Sequence, residues 1–87
     1  MSVVNRVKAI REAEGLSQRE FCQETGLVLD TLRNYEQGKR ASIGSKELEK
    51  ITTHPRFTKY ALWLVTGEAA PEAGQISPDI EGERSTA

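Results

Sequence analysis

The chain has one cysteine, one histidine, one tryptophan and only 6% aromatic residues among its 87 positions. A single thiol, Cys22, excludes an internal disulfide, and with His54 as the sole imidazole no tetrahedral Cys/His metal site can be assembled. No metal or cofactor is therefore expected. Long apolar runs are also missing. The longest, Tyr60 to Val65, falls far short of the roughly 18 residues a membrane span requires, so no membrane association is expected. The first residues lack the basic-then-apolar pattern of a secretory signal, and the chain is expected to remain in the cytoplasm. Nor is there a nucleophile with a base beside it, a catalytic carboxylate pair or a phosphate loop, and a chain this short has little room for a catalytic cleft. An enzyme is not expected.

What the chain does have is charge, 29% of its residues, unevenly placed. Residues 1–67 hold eleven Lys or Arg against eight Asp or Glu, whereas residues 68–87 hold one against five. The net charge of −1 thus conceals a mildly basic body and an acidic end, a weak pointer to nucleic acid. Residues 68–87 carry two prolines, two glycines and only two isolated isoleucines as bulky apolar groups. On composition they are expected to form a flexible acidic tail following a domain over 1–67, because so little apolar surface does not offset the entropy of ordering.

Within 1–67 the apolar residues recur at helical spacing. Val3, Val7 and Ile10 form one stripe with Gly15 behind it; Ser17 and Glu20 form an S-x-x-E capping box that starts a second helix at about Gln18. Gly26 stops that helix, and a third is expected over Val28 to Gln37 with Leu32 and Tyr35 inward. A fourth follows, capped by Ser45 and burying Leu48 and Ile51, and a fifth runs from Phe57 to Thr66, closed by Gly67. The expected fold is all-α, a compact five-helix bundle. Helices two and three, joined by a short glycine-containing turn, make a helix-turn-helix whose second helix fits the major groove of duplex DNA. Cys22 is the small residue where these helices cross, expected to be buried and inert, and Phe21, Leu27, Leu32 and Tyr35 form their seam. Thr25 is smaller than the apolar residue usual there and is expected to loosen it slightly.

On these residues the sequence resembles the lambda-repressor-like, Xre/Cro-type DNA-binding domains. Their pattern, close to L-S-Q-x-x-[L/F]-A-x-x-x-G-[V/L] followed by a helix ending [W/Y]-E-x-G-K-R, is matched by Leu16-Ser17-Gln18 through Leu27 and by Tyr35-Glu36-Gln37-Gly38-Lys39-Arg40. The likeness runs from about Val3 to Gly67. It implies a transcriptional regulator that reads a (pseudo)palindromic operator in double-stranded DNA, and a structural ion pair between Arg11 and Glu36. It also implies DNA contacts by Gln18, Arg19, Leu29, Asp30, Thr31, Arg33, Asn34, Lys39 and Arg40. Gln18 would approach a phosphate and a base edge together, Arg33 would grip guanine, Asn34 would pair with adenine, and Lys39, Arg40 and Arg19 would neutralise phosphates. Where the family has a Ser or Thr cap and polar residues, this chain has Val28 and Leu29. Such a pair either reads thymine methyls or, with a small rotation of the helix, joins the core. Asp30 either accepts from cytosine N4 or serves as a first-turn helix charge, the latter favoured.

The fifth helix is too apolar for one face, and Tyr60, Leu62, Trp63 and Val65 are the expected homodimer interface, with core the favoured alternative for Trp63 at the family's closing position. An alternative function is an antitoxin-like interaction module that binds a protein partner through the C-terminal tail and autoregulates its operon.

Overall fold

The structure is a computed structural model describing the backbone of residues 1–86 and the side chains of residues 1–83. Among the described residues six α-helices follow one another: α1 (Val3–Ala13), α2 (Gln18–Thr25), α3 (Leu29–Glu36), α4 (Ser45–Thr52), α5 (Ala61–Thr66) and α6 (Pro78–Thr86), with 3₁₀ turns at Thr58–Tyr60 and Pro71–Ala73. Among the described residues there is no strand beyond an isolated antiparallel bridge between Ala70 and Gln75.

Each boundary has a local cause. The Ser2 hydroxyl accepts from the Asn5 N–H and opens α1. At α2 the capping box forms in both directions: the Glu20 N–H donates to Ser17 Oγ at 3.1 Å and the Ser17 N–H to Glu20 Oε1 at 2.9 Å. Gly26, at φ 81°, adopts the left-handed conformation that a side chain would resist, and this turns the chain into α3. Thr25 does not loosen the seam. Its buried hydroxyl donates to the Phe21 carbonyl at 2.8 Å and accepts from the Leu27 N–H at 3.3 Å, stitching the turn.

Val7 and Ile10 from α1, Phe21 from α2, Leu27, Leu32 from α3, Ile51 from α4, Phe57, Tyr60, Leu64 from α5 and Ile76 form one core. The Phe21 and Phe57 rings meet at 5.0 Å between centroids, joining α2 to the chain before α5. Beneath them lies a charged hub. The Glu14 carboxylate, almost enclosed, accepts from Arg56 Nε at 2.9 Å and from the Tyr60 hydroxyl at 2.7 Å, and pairs with Lys59 Nζ at 3.2 Å. Burial alone would raise its pKa, but the bonds from Arg56, Tyr60 and Lys59 reverse this and hold it below the ordinary carboxylate range. Burial and the same carboxylate push the Tyr60 phenol far upward.

Three expectations are corrected here. The fifth helix is shorter than Phe57–Thr66, because its first turn is the 3₁₀ segment Thr58–Tyr60, which places both Phe57 and Tyr60 inward. Ser45 is not the cap of α4: Gly44 is, without a side-chain bond. The described part of the expected acidic tail, from residue 68 on, does not stand off the body after a five-helix bundle; Ala87 lies outside the described residues. Ile76 is 2% exposed and its N–H donates to the Lys59 carbonyl at 2.8 Å. The Gln75 side chain accepts from the Leu62 N–H at 2.9 Å and donates to the Thr58 carbonyl at 3.0 Å, so it caps the start of α5. Ile80, on α6, packs against the core and Glu81 pairs with Lys59 at 3.4 Å. Two well-placed isoleucines and one bridging amide anchor a segment whose composition alone reads as unfolded.

Candidate nucleic-acid interface

Phe21 of α2 and Leu32 of α3 share the core, and Leu32 with Tyr35 turns one side of α3 inward, which leaves the opposite side to solvent. On that side Asp30, Arg33 and Gln37 are exposed, one turn apart in succession, with Thr31 and Asn34 half-buried beside them and Leu29 half-buried on the other flank. Lys39 and Arg40 follow in the exposed loop after α3, and the Arg40 guanidinium lies 5.9 Å from the centroid of the Tyr35 ring. Arg19 is exposed at the start of α2. Of the residues expected at DNA, Asp30 and Arg33 lie on the exposed side of α3 with Thr31 and Asn34 beside them, and Arg19, Lys39 and Arg40 are exposed. Gln37 extends the row and was missed by the sequence reading, although its position four residues beyond Arg33 signals the same face.

Gln18 is placed by an ion pair. The Glu36 carboxylate, with a side chain only 5% exposed, receives Arg11 Nε at 2.8 Å and Arg11 Nη2 at 2.9 Å, a bidentate pair. Arg11 also donates through Nη1 to the Leu16 carbonyl at 2.7 Å, tying α1 to the chain entering α2. Gln18 Nε2 donates to Glu36 Oε1 at 3.0 Å. A carboxylate only accepts, so this bond fixes the amide with its nitrogen inward. The same side chain that would meet DNA is therefore held by the ion pair that closes the fold. The bond to Glu36 raises the Arg11 pKa against a smaller opposing effect of burial.

Asp30 lies in the first turn of α3, where a negative charge suits the helix dipole, and its carboxylate is 3.9 Å from Arg33 Nη1. Both side chains are well exposed, so the contact restrains Arg33 only loosely. Val28 is the N-cap of α3 and makes no side-chain cap bond; it is 63% exposed, whereas Leu29 is half-buried. The apolar pair is thus split, one member outward and one partly inward.

Cys22 is half-buried rather than enclosed; burial, with the Glu36 charge, raises its thiol pKa, so the reactive thiolate is disfavoured at neutral pH. His54 is held by the Arg56 N–H on Nδ1 at 3.1 Å and faces Glu24 through Nε2 at 3.2 Å, a loop-fastening arrangement.

The expected helix-five interface is corrected in part. Tyr60 is fully buried with its hydroxyl on Glu14, so it offers nothing to a second copy. Leu62 and Trp63 are half-buried, Trp63 against the core, and the C-terminal segment docks on the start of α5. Val65 remains 50% exposed.

Among the described residues no group of three or more His, Cys, Asp or Glu is placed to hold a metal, and no helix is long and apolar enough to cross a membrane. Comparison with known proteins agrees with the geometry. A helix-turn-helix family model matches residues 7–54, which contain α1 to α4 in all but the first turn. Repressor protein C of Escherichia phage P2 is 36% identical over 79 residues, spanning 91% of this chain and 79% of that protein. A chain with this two-helix unit, this exposed α3 row and these two matches belongs to the helix-turn-helix family of DNA-binding transcriptional regulators, which are not enzymes.

Proposed function

We propose that the protein is a repressor-type regulator that binds a (pseudo)palindromic operator as a homodimer, with α3 in the major groove. The observation that carries this reading is the exposed α3 row of Asp30, Arg33 and Gln37, followed along the chain by exposed Lys39 and Arg40, with Arg19 exposed at the start of α2. Such an arrangement separates two tasks. Lys39, Arg40 and Arg19 neutralise phosphates and set the register, while Arg33, with Asn34 and Thr31 beside it, reaches base edges. Arg33 paired bidentately with guanine contributes about 1 to 3 kcal/mol of discrimination, and Asn34 suits adenine. Gln18, bonded to Glu36 through one amide hydrogen, keeps its carbonyl oxygen and second amide hydrogen for a DNA contact at the start of α2. The relative from phage P2 is itself named a repressor, which supports repression as the mode of action.

A symmetric operator needs two copies with recognition helices about 34 Å apart for successive major-groove turns. The solvent end of α5 offers the surface for pairing. There Arg6 donates to the Leu64 carbonyl at 2.8 Å, to the Val65 carbonyl at 3.3 Å and to the Met1 carbonyl, bringing exposed Met1 and Val65 to one side chain. A sedimentation measurement showing only monomer both free and on operator DNA would remove the dimer. The antitoxin-like alternative drew on an unpacked tail, and the docked Ile76 segment takes that support away.

The test is selection of bound duplexes from a random pool, followed by anisotropy titration with wild type and Arg33→Ala. Recovery of an inverted repeat, with Arg33→Ala weakened chiefly on that site, is the expected result. Salt-sensitive binding without an enriched motif would overturn the reading.

A further inference from the structure

The C-terminal segment bonds to the body along one short stretch of chain. Gln75 takes the Leu62 N–H at 2.9 Å and gives to the Thr58 carbonyl at 3.0 Å, the Ile76 N–H gives to the Lys59 carbonyl at 2.8 Å, and Glu81 pairs with Lys59 Nζ at 3.4 Å. All of these bonds land on the 3₁₀ turn Thr58–Tyr60 and the first turn of α5. The same 3₁₀ turn completes the charged hub, because the Lys59 ammonium and the Tyr60 hydroxyl both reach Glu14 from it, at 3.2 and 2.7 Å.

Glu14 in turn belongs to the corner between α1 and α2. It is the C-cap of α1, and Gly15 follows at φ 68°, a left-handed turn that directs the chain to α2. Arg56 Nη2 holds the Glu14 carbonyl at 2.9 Å and Arg11 Nη1 the Leu16 carbonyl at 2.7 Å, so two guanidinium groups pin the corner. Gln18, held by Glu36, comes two residues later. Withdrawing a donor from an almost enclosed carboxylate leaves its charge poorly compensated, and the corner that carries it relaxes. The C-terminal segment is suited to such withdrawal. Glu68 and residues 71–74 are exposed, and its bulky apolar residues are Ile76 and half-buried Ile80, so it opens at less cost than the whole fold.

We propose that residues 68–83 are a strap that regulates DNA binding, with Lys59 as the positioning residue through which the docked strap holds the α1–α2 corner, and with it Gln18, in the DNA-binding arrangement. This rests on the placing of Gln18 at DNA in the reading above and adds to it a weakly binding state, the one with the strap released. Such coupling is mutual: if the docked strap favours DNA, bound DNA holds the strap closed by the same factor.

Amide hydrogen exchange followed by NMR on the full chain measures this, with and without saturating duplex. The duplex is the selected operator or, where selection enriches none, a random sequence at low salt, so failure of the operator reading leaves the test standing. The Ile76 N–H is expected to exchange faster than the Ile10 N–H of buried α1, marking strap release apart from global unfolding, and to slow about fivefold or more on DNA. Lys59→Met is expected to abolish the slowing and Lys59→Arg to restore it, whereas a purely structural lysine would lower the melting temperature and leave the DNA dependence in place. Glu14→Gln cuts the same link and replaces Lys59→Met should that variant not fold. Equal exchange of Ile76 and Ile10, no slowing in wild type, or undiminished slowing once the link is cut each overturns the proposal.

Discussion

Truncating Ile76 to alanine separates a folded C-terminal segment from an appended one. Ile76 is 2% exposed and shares the core with Phe57, Tyr60 and Leu64, so Ile76→Ala removes buried methyl groups and leaves a cavity among aromatic neighbours that cannot easily collapse. Losses of this kind are about 2 to 5 kcal/mol. A domain of this length is stable by roughly 4 to 13 kcal/mol, so a central loss of ~3 kcal/mol is a large fraction of the whole. At about 4 to 8 °C for each kcal/mol, the melting temperature should fall by roughly 12 to 24 °C. A substitution on a solvated tail would instead stay within ~0.5 kcal/mol of wild type. Circular dichroism melts of wild type, Ile76→Val and Ile76→Ala measure the difference, with Ile76→Val expected to lose only ~0.5 to 1.5 kcal/mol. A second reading comes from urea unfolding of a chain ended after Gly67, whose lower slope would report less surface exposed on unfolding. The reasoning is refuted if Ile76→Ala melts within about 2 °C of wild type.

Removing the guanidinium in Arg11→Ala strands the Glu36 carboxylate, which is 5% exposed, and should cost ~3 to 5 kcal/mol in urea unfolding; a loss below about 1 kcal/mol would show that the carboxylate is not truly enclosed. Acid should destabilise the protein through Glu14. Its folded pKa lies below the ordinary 4.5, so its stabilisation is complete above that value and is lost as pH falls through the folded one; Glu14→Gln, compared from pH 7 down to 3, should show a shallower decline, and parallel curves would argue against the hub. Ser17→Ala deletes the cap of α2 and should cost ~1 kcal/mol while leaving the operator preference unchanged, as melting and anisotropy together would show.

The parts of this fold that could be read from sequence are those with local causes. α2 was bounded at both ends, from about Gln18 to Thr25, because Ser17 with Glu20 and Gly26 act within a few residues of where they stand. The pairing of Arg11 with Glu36 spans 25 residues and came only from the family likeness. What escaped depends on contacts distant in sequence. Tyr60 reads as surplus apolar surface on a helix until Glu14, 46 residues earlier, is seen to take its hydroxyl. Ile76 and Ile80 look isolated among prolines, glycines and acids because the groove that receives them is made by α1 and the approach to α5. For the interface, helical periodicity gave only the inward pair Leu32 and Tyr35, and the DNA-facing residues came from the family likeness; whether Val28 belonged inside the helix or at its cap turned on one residue of boundary, which periodicity does not resolve.

The shared carboxylate of Glu36 has a consequence for how such a protein can be redirected to another sequence. Arg11, Leu16 and Gln18 are linked through it, so exchanging Gln18 disturbs a contact that the interior also uses. Asp30 and Arg33 pair with each other at the surface, and Gln37 is exposed beside them. Those three positions can be randomised together as a replaceable reading head, with Gln18 held constant, and the resulting library should consist mostly of folded proteins that differ in the DNA they prefer.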